Sequence, residues 1–339
     1  MKILIYSRAF YPSTGGIETM ISILAHEFTR LGHEVKVVTQ ISDNNHKVFP
    51  FEIVRCPNMV TLFQLTRWCD IYFQASISLK GLWPLLFIKK TWIANHHYWY
   101  SDEEGKFRWQ NWLKNYVTKY AVSICVSNAT AERIPAKSIV IHNAYNKDIY
   151  YEMPEIKKEK KLVFLGRLVS DKGVDLLINS LNLLKKTKQL TPHLTIVGTG
   201  PEEKHLKHLA STSNISEQIE FIGYQSSDEV RKLLNAHKIL VIPSLKGESF
   251  GIVALEGIAC GCVVVSSDFG GLNEAVGNCG LTFPNGDINA LTNCLADLLT
   301  NPEKISNLRK NRLKHLEEHT PERIAKEYLK VLENVLLKR

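Results

Sequence analysis

The 339-residue sequence lacks the usual marks of a secreted or membrane-spanning protein. Its seven cysteines are scattered and contain no CxxC pair, which disfavours both a disulfide framework and a zinc site. The longest apolar run, residues 82–88, contains a proline and is too short to span a bilayer, and the apolar residues 3–6 are too few for a signal peptide. We therefore expect a cytoplasmic protein in a reducing compartment.

Concentrated charge and internal repetition are also absent. The 42 basic and 34 acidic residues give a net charge of +8, which favours phosphates or anionic surfaces but is too dispersed for a nucleic-acid-binding protein. No short-period repeat or low-complexity segment occurs. Because a single core usually splits beyond ~250–300 residues, this length predicts two domains. The polar stretch MPEIKKEKK, residues 153–161, is the predicted linker.

Short apolar strands alternate with helical patterns in both halves of the chain. The predicted strands lie at residues 2–6, 35–38, around 53, 70–73, 91–94, 123–126, 139–141, 162–165, 194–197, 219–222 and 239–242. The predicted helices lie at residues 17–31, 174–186, from 202, from 227, 250–260, and beyond 287, with a last helix at 321–337. This alternation is typical of α/β domains whose parallel sheets are covered on both faces. In such domains ligands bind at the loops that follow the strands.

The loop GRLVSDKG, residues 166–173, follows a predicted strand directly. Gly166 allows the backbone to approach a ligand, and Arg167 and Lys172 are cations of the kinds that bind phosphate oxygens. An ordinary surface cation and a simple turn would produce the same pattern. This loop alone therefore leaves a phosphate site and a plain turn equally open.

The segment GESFGIVALE, residues 247–256, follows another predicted strand and enters a predicted helix. The first amides of that helix can bind a phosphate, and they belong to Phe250, Gly251, Ile252 and Val253. Glu256 stands among apolar and small residues, where a buried carboxylate needs hydroxyl partners such as a vicinal diol. Glu248 either offsets the helix dipole or faces further hydroxyls. We expect a phosphate ligand flanked by polyols, a ribose on one side and a sugar on the other.

Five motifs in register carry a resemblance to a known family: GGIE at 15–18, GRLVSDKG at 166–173, VGTGP at 197–201, FIGY at 221–224 and GESFGIVALEGIACG at 247–261. Together they resemble the retaining GT-B glycosyltransferases of family GT4, also called glycosyl transferases group 1. The resemblance implies two Rossmann-like domains with parallel sheets facing a central cleft. Residues 1–153 would form the acceptor-binding domain and 154–318 the donor-binding domain, with a helix at 319–339 packing back on the first.

The same resemblance implies roles for individual residues. Arg167 and Lys172 would contact the donor diphosphate, and Glu256 and Glu248 would hold the ribose and the donor sugar. The other implied donor-site residues are Gly16, Gly166, Gly198, Gly223, Tyr224, Gly251, Ile252 and Val253. Of two adjacent histidines, His96 would face the sugar, although His96 and His97 are not distinguished firmly. Glu18 and His97 would lie on the acceptor side.

The implied reaction is sugar transfer with retention of anomeric configuration. The donor would be a UDP- or GDP-linked sugar, and the acceptor a glycan or a lipid-linked molecule of surface polysaccharide or glycoconjugate biosynthesis. The sequence contains no DxD motif, so we expect Arg167, Lys172 and the helix dipole, and not a metal ion, to stabilise the leaving phosphate. No cofactor is expected.

Other functions remain open at this point. Gly198 and Gly200 resemble the start of an NAD fingerprint, with Glu220 near the ribose-binding position, but Glu203 replaces its third glycine. A nucleotide-sugar epimerase or a non-catalytic nucleotide-sugar binder would also suit the donor motifs.

A basic and aromatic segment at residues 99–120 suggests where an acceptor membrane would bind. Its aromatic residues include Trp109, Trp112, Tyr116 and Tyr120, which stand among the cations Lys106, Arg108, Lys114 and Lys119. This combination suits peripheral contact with the anionic inner face of a membrane, although an aromatic stripe at helical spacing is more often core.

Overall fold

The computed structural model describes residues 1–43, 47–101 and 107–338. It divides the chain into two compact units, Met1–Tyr145 together with the chain from His319 onward, and Asn146–Glu318. Lys106, one of the cations of the predicted membrane-binding segment, lies outside the described residues.

Unit 1 is built on a seven-stranded parallel sheet. Its strands are β1 (Lys2–Ser7), β2 (Glu34–Thr39), β3 (Glu52–Arg55), β4 (Ile71–Ala75), β5 (Thr91–His96), β6 (Val122–Cys125) and β7 (Ser138–Val140). Its helices before residue 146 are α1 (Gly16–Arg30), α2 (Met59–Trp68), α3 (Leu79–Leu82), α4 (Trp109–Val117) and α5 (Asn128–Ala131). The spatial order is β3-β2-β1-β4-β5-β6-β7, so the order reverses between β1 and β4.

Unit 2 repeats this plan with a six-stranded parallel sheet. Its strands are β8 (Lys160–Leu165), β9 (Leu194–Val197), β10 (Ile219–Gly223), β11 (His237–Ile242), β12 (Val263–Ser267) and β13 (Gly280–Phe283). Its helices are α6 (Val174–Lys188), α7 (Glu203–Thr212), α8 (Ser227–Ala236), α9 (Ile252–Ala259), α10 (Leu272–Val276), α11 (Ile288–Thr300), α12 (Pro302–Lys310) and α13 (Arg312–Glu317). The spatial order is β10-β9-β8-β11-β12-β13, with its reversal between β8 and β11.

The last helix, α14 (Pro321–Leu337), packs in unit 1 against α1. Its buried face includes Ala325 and Tyr328, and the Tyr328 hydroxyl donates to Asn95 Oδ1 at 3.0 Å. A buried tyrosine needs such a partner for its hydroxyl, so this bond fixes the helix against the end of β5.

The units divide at Tyr145/Asn146, earlier than the predicted boundary at 153/154. The residues between these two points are bound to α8. Arg231 Nη1 donates to the Ile149 carbonyl at 3.3 Å, and Asn235 Nδ2 donates to the Tyr151 carbonyl at 2.9 Å. The backbone N–H of Met153 donates to Asn235 Oδ1 at 2.8 Å. The polar linker composition therefore begins after the chain has already joined unit 2.

The predicted α/β class with parallel sheets is confirmed, since every recorded strand pair is parallel. The core of unit 2 lies between the sheet and the helices, where Phe164, Leu177, Ile196 and Val241 are inaccessible or nearly so. Strands β12 and β13 were not predicted. β12, with the sequence VVVSS, is buried throughout, so it shows no alternation of apolar and polar residues.

Candidate functional site

Three glycines lie together at the carboxyl edge of the unit 2 sheet. Gly166 follows β8, Gly198 follows β9 and Gly223 ends β10, and parallel strands bring these points to one edge. The Gly166 N–H donates to the Val197 carbonyl at 3.0 Å, and the Gly198 N–H donates to the Gly223 carbonyl at 2.8 Å. Three of the residues that the resemblance assigns to the donor are thus joined by their backbones.

Gly198 cannot be replaced without moving the neighbouring loop. Its φ is 130°, and a Cβ built on it would lie 1.9 Å from the Gly166 carbonyl oxygen. Gly223 differs because a Cβ there would meet open space, although its φ of 71° still favours glycine. Tyr224, which follows it, is 67% exposed, so its ring is accessible for contact with a planar ligand.

The loops after β8 and β11 meet where the strand order reverses, the usual ligand position in an open α/β sheet. The Leu245 N–H donates to the Asp171 carbonyl at 2.8 Å. Gly173 has a φ of 63°, and a Cβ on it would lie 2.1 Å from the Pro243 carbonyl oxygen. This close backbone approach places Lys172 beside the loop that carries Glu248.

Lys172 and Glu248 form an ion pair through Nζ and Oε1. The same carboxylate oxygen accepts a hydrogen bond from Ser244 Oγ at 3.1 Å, and Ser267 Oγ in turn donates to the Ser244 carbonyl at 2.5 Å. Glu248 is only 9% exposed, and its carboxylate is contacted directly by Lys172 and Ser244. The predicted phosphate-binding cation and sugar-binding carboxylate are therefore direct partners.

Ser244 was missed by the sequence analysis. Its position two residues after β11 was a usable signal, because side chains at strand ends line the ligand edge of a parallel sheet. Arg167, in contrast, was predicted and is exposed on the loop after β8, where it forms no ion pair with the described residues.

Helix α9 begins at Ile252, and the predicted start at Phe250 was wrong. Gly251 caps the helix with a left-handed φ of 94°, which interrupts the helical backbone between Phe250 and Ile252. Phe250 is instead buried in the interior. As the first residues of the helix, Ile252 and Val253 have amides without an intrahelical acceptor, and they lie next to the loop of Glu248.

Glu256 is a partly buried carboxylate on α9. Burial raises the pKa of this carboxyl to about 7, and no charge or hydrogen bond from the described part of the chain favours its ionised form. At neutral pH, hydroxyl groups of a ligand that donate hydrogen bonds to such a buried carboxylate would stabilise its ionised form.

The two predicted histidines lie inside unit 1: His96 is the last residue of β5, and His97 follows it. His96 is fully buried, with Nδ1 hydrogen-bonded to the Tyr100 hydroxyl and Nε2 to Ser123 Oγ, both at 3.1 Å. His97 Nε2 lies 2.9 Å from Asn95 Nδ2, which fixes the ring through one nitrogen. Burial lowers the pKa of His96 to about 3 and that of His97 to about 4, so both rings are neutral at pH 7. Both nitrogens of His96 are therefore engaged by protein groups.

The N-terminal loop of unit 1 carries the other two predicted residues. Gly16 is the exposed first residue of α1, and Glu18 lies in the first turn of that helix. Glu18 Oε1 accepts a hydrogen bond from Ser13 Oγ at 2.9 Å. Glu18 thus holds its own loop in place at the carboxyl end of β1.

Two further features, a metal-binding cluster and a membrane-spanning helix, are absent from the described ranges. Among these residues no group of three or more His, Cys, Asp or Glu side chains could hold a metal ion. Within the same ranges, no helix combines the length and apolar character needed to cross a bilayer.

Comparison with solved structures identifies the fold class. The structure of Alr3699/HepE from Anabaena in complex with UDP-glucose superimposes with a TM-score of 0.82, 18% sequence identity, and coverage of 98% of this chain and 100% of that one. The fold is accordingly GT-B, with two Rossmann-like units.

Sequence comparison identifies the family. Residues 147–315, nearly the whole of unit 2, match the model of glycosyl transferases group 1, and this chain belongs to that family. An uncharacterized glycosyltransferase of Methanocaldococcus jannaschii, MJ1178, is 33% identical over 207 residues, 58% of this chain and 56% of that protein. One component of the phosphatidylinositol N-acetylglucosaminyltransferase of Arabidopsis thaliana is 24% identical over 350 residues, 91% of this chain and 77% of that protein. This chain spans little more than half the length of the first of these relatives.

Proposed function

We propose that this protein transfers a sugar, with retention of configuration, from a UDP- or GDP-linked donor to a glycan or lipid-linked acceptor. The observation that carries the proposal is the set of groups at the strand-order reversal of unit 2. There the Lys172–Glu248 pair, the first amides of α9 and the carboxylate of Glu256 belong to two adjacent loops and one helix. The UDP-glucose bound to the Anabaena neighbour supports the choice of donor class.

Each group has a task in this proposal. The amides of Ile252 and Val253 and the cations Arg167 and Lys172 hold the diphosphate and stabilise the charge that develops on it as the sugar departs. The Glu256 carboxylate accepts hydrogen bonds from the ribose hydroxyls. Glu248 faces the hydroxyls of the donor sugar while Lys172 and Ser244 hold its carboxylate in place. The departing diphosphate accepts the proton of the acceptor hydroxyl, so no separate general base is assigned.

A screen of nucleotide sugars tests the donor assignment. In thermal unfolding experiments, either the UDP-linked or the GDP-linked sugars should raise the Tm, but not both. The rise is expected because a ligand that binds the folded state stabilises it. The preferred sugar nucleotide, incubated alone, should keep its sugar configuration. Conversion without an acceptor would favour an epimerase, and stabilisation by NAD in place of nucleotide sugars would contradict the proposal.

We further propose that α4 places unit 1 against an anionic membrane. None of the residues of α4 is buried, and Trp109, Trp112 and Tyr116 are 58%, 56% and 45% exposed. The alternative that this aromatic stripe belongs to the core therefore loses its basis. Lys119 Nζ lies 3.5 Å from the centre of the Tyr116 ring, so cations and aromatic rings share one surface, as a membrane interface requires. The lipid named in the Arabidopsis relative is consistent with an acceptor at a membrane.

Co-sedimentation with phosphatidylglycerol vesicles at low salt tests this surface. The wild-type protein should sediment with the vesicles, and a Trp112→Ser/Tyr116→Ser variant should stay largely in the supernatant because it loses the aromatic anchors. Tyr224→Ser is the matched control, since it removes a comparably exposed ring from unit 2. Absence of wild-type binding, or equal loss in the control, would contradict the proposal.

A further inference from the structure

A cavity lies in unit 2 at the edge of the sheet opposite to the loops of the proposed donor site. Its volume is about 410 Å³, and it is bounded by residues at the amino ends of β8, β11 and β12 and by α12 and the start of α13. Five of its nine lining residues are cations: Lys158, Lys238, Arg309, Lys310 and Arg312. None of the nine is an acid.

The charge of this cavity is only partly balanced by the protein. Glu152 pairs with Arg309 Nη2 at 2.5 Å and with Arg312 Nη1, so one carboxylate serves two guanidinium groups. This one carboxylate offsets at most one of the five positive charges of the lining residues. Arg309 Nε is buried and has no hydrogen-bond partner among the described residues. Like charges this close repel one another unless an anion lies between them.

One of the five cations has a structural explanation. Lys158 Nζ lies within hydrogen-bond distance of four carbonyl oxygens, those of Leu234, Asn235, His237 and Cys260. These carbonyls end α8 and α9, where a cation is favoured by the helix dipoles. Of the other four, Arg309 and Arg312 pair with Glu152, and Lys310 Nζ donates to Asn307 Oδ1 at 2.8 Å, whereas the Lys238 ammonium has no ion pair or hydrogen bond within the described residues.

We propose that this cavity binds the phosphate groups of a small phosphorylated molecule. An arginine fork together with lysine ammonium groups is the donor set that phosphate oxygens prefer. The cavity also falls within the roughly 300–1,000 Å³ of small-molecule sites, which is larger than a lone phosphate requires. The site is separate from the donor site because it lies at the amino ends of the strands and the donor loops follow their carboxyl ends.

Titration calorimetry with pyrophosphate at low salt tests this proposal. The wild-type protein should show two binding events, one at the donor loops and one in the cavity. In the variant Lys238→Gln/Lys310→Gln the cavity event should be lost or weakened at least roughly tenfold, because hydrogen bonds to charged groups are stronger than neutral ones. Lys186→Gln/Lys188→Gln, which removes two exposed cations from α6, is the matched control and should keep both events.

The variant Lys172→Ala separates this proposal from the proposed function, because it weakens the donor site only. If the cavity is not an anion site, the Lys238→Gln/Lys310→Gln variant and its control will bind pyrophosphate identically. If the donor assignment fails but the cavity binds anions, Lys172→Ala will change nothing and the double variant will still lose an event.

Discussion

The two units have the same kind of parallel sheet, yet the predicted residues are held differently at their carboxyl edges. In unit 2, backbone contacts bring the loops of Lys172 and Glu248 together, and no group in the described ranges offsets the burial of Glu256. In unit 1, Glu18 and His96 are bound to their own neighbours. The unpartnered carboxylate of Glu256 supports the proposal that unit 2 binds the donor, whereas the hydrogen bonds of Glu18 and His96 lie within unit 1.

Lys172→Ala should have the largest effect. Removing a group that stabilises the leaving phosphate should lower kcat by about 10²–10³-fold, the effect of losing one charge-stabilising donor. Steady-state kinetics with the preferred donor measures this. Lys186→Ala, a cation on the surface of α6, should remain at the wild-type rate. Near-wild-type turnover of Lys172→Ala would remove the donor-site assignment.

Glu256→Gln should reduce transfer by about tenfold to a hundredfold, because an amide offers the ribose one acceptor oxygen in place of two. Without ligand the same variant should be more stable than the wild type at pH 8. The folded-state pKa is raised to about 7, so the wild type loses stability as pH rises from the unfolded value of 4.5 through 7.

Urea unfolding at pH 8 and at pH 4 measures this difference. The gain of the variant should be about 1–3 kcal/mol at pH 8 and should vanish at pH 4, where the carboxyl group is largely protonated in both the folded and the unfolded state. A variant that is less stable at pH 8 would show that the protein itself supplies partners for the Glu256 carboxylate.

His96→Ala should have a larger effect on the free energy of unfolding than on the kcat of sugar transfer. The substitution leaves a cavity and an unpaired Ser123 hydroxyl, while the Tyr100 hydroxyl keeps only the hydrogen bond from the Ile77 N–H, so the free energy of unfolding should fall by about 2–4 kcal/mol. Because the pKa of His96 is lowered to about 3, its contribution is present above the unfolded pKa and is lost as pH falls below about 6.5.

His97→Ala, which also removes a buried ring but breaks one side-chain hydrogen bond among the described residues instead of two, is the comparison for His96→Ala and should cost less stability. Unfolding at pH 5 and pH 7.5 measures both effects. A fully stable His96→Ala protein with a large loss of kcat would show that His96 acts in the reaction instead.

EDTA should have the smallest effect and leave the rate of transfer nearly unchanged. The reason is that side-chain cations of the protein, and not a metal ion, are proposed to stabilise the negative charge on the leaving phosphate. Activity assays with EDTA, and with Mg²⁺ added back, measure this. A strict requirement for the metal would contradict the assignment to Arg167 and Lys172.

The sequence predicted most of the strands and the donor loops because both signals are local. The apolar run at β8 and the glycines after it are contiguous in the sequence. The start of α9 was missed because Gly251 adopts a left-handed φ, which a helical spacing of apolar residues does not reveal. The burial of His96 depends on Tyr100 and Ser123, and the second of these comes from another strand.

The central claim is that the carboxyl edge of unit 2 binds the ribose and diphosphate of a nucleotide sugar. Calorimetric titration of Glu256→Gln with the preferred nucleoside diphosphate and with pyrophosphate tests it most directly. We predict roughly tenfold or greater weakening for the nucleotide, since only it offers ribose hydroxyls, and unchanged affinity for pyrophosphate. Unchanged affinity for the nucleotide, or equal weakening for both ligands, would contradict the account.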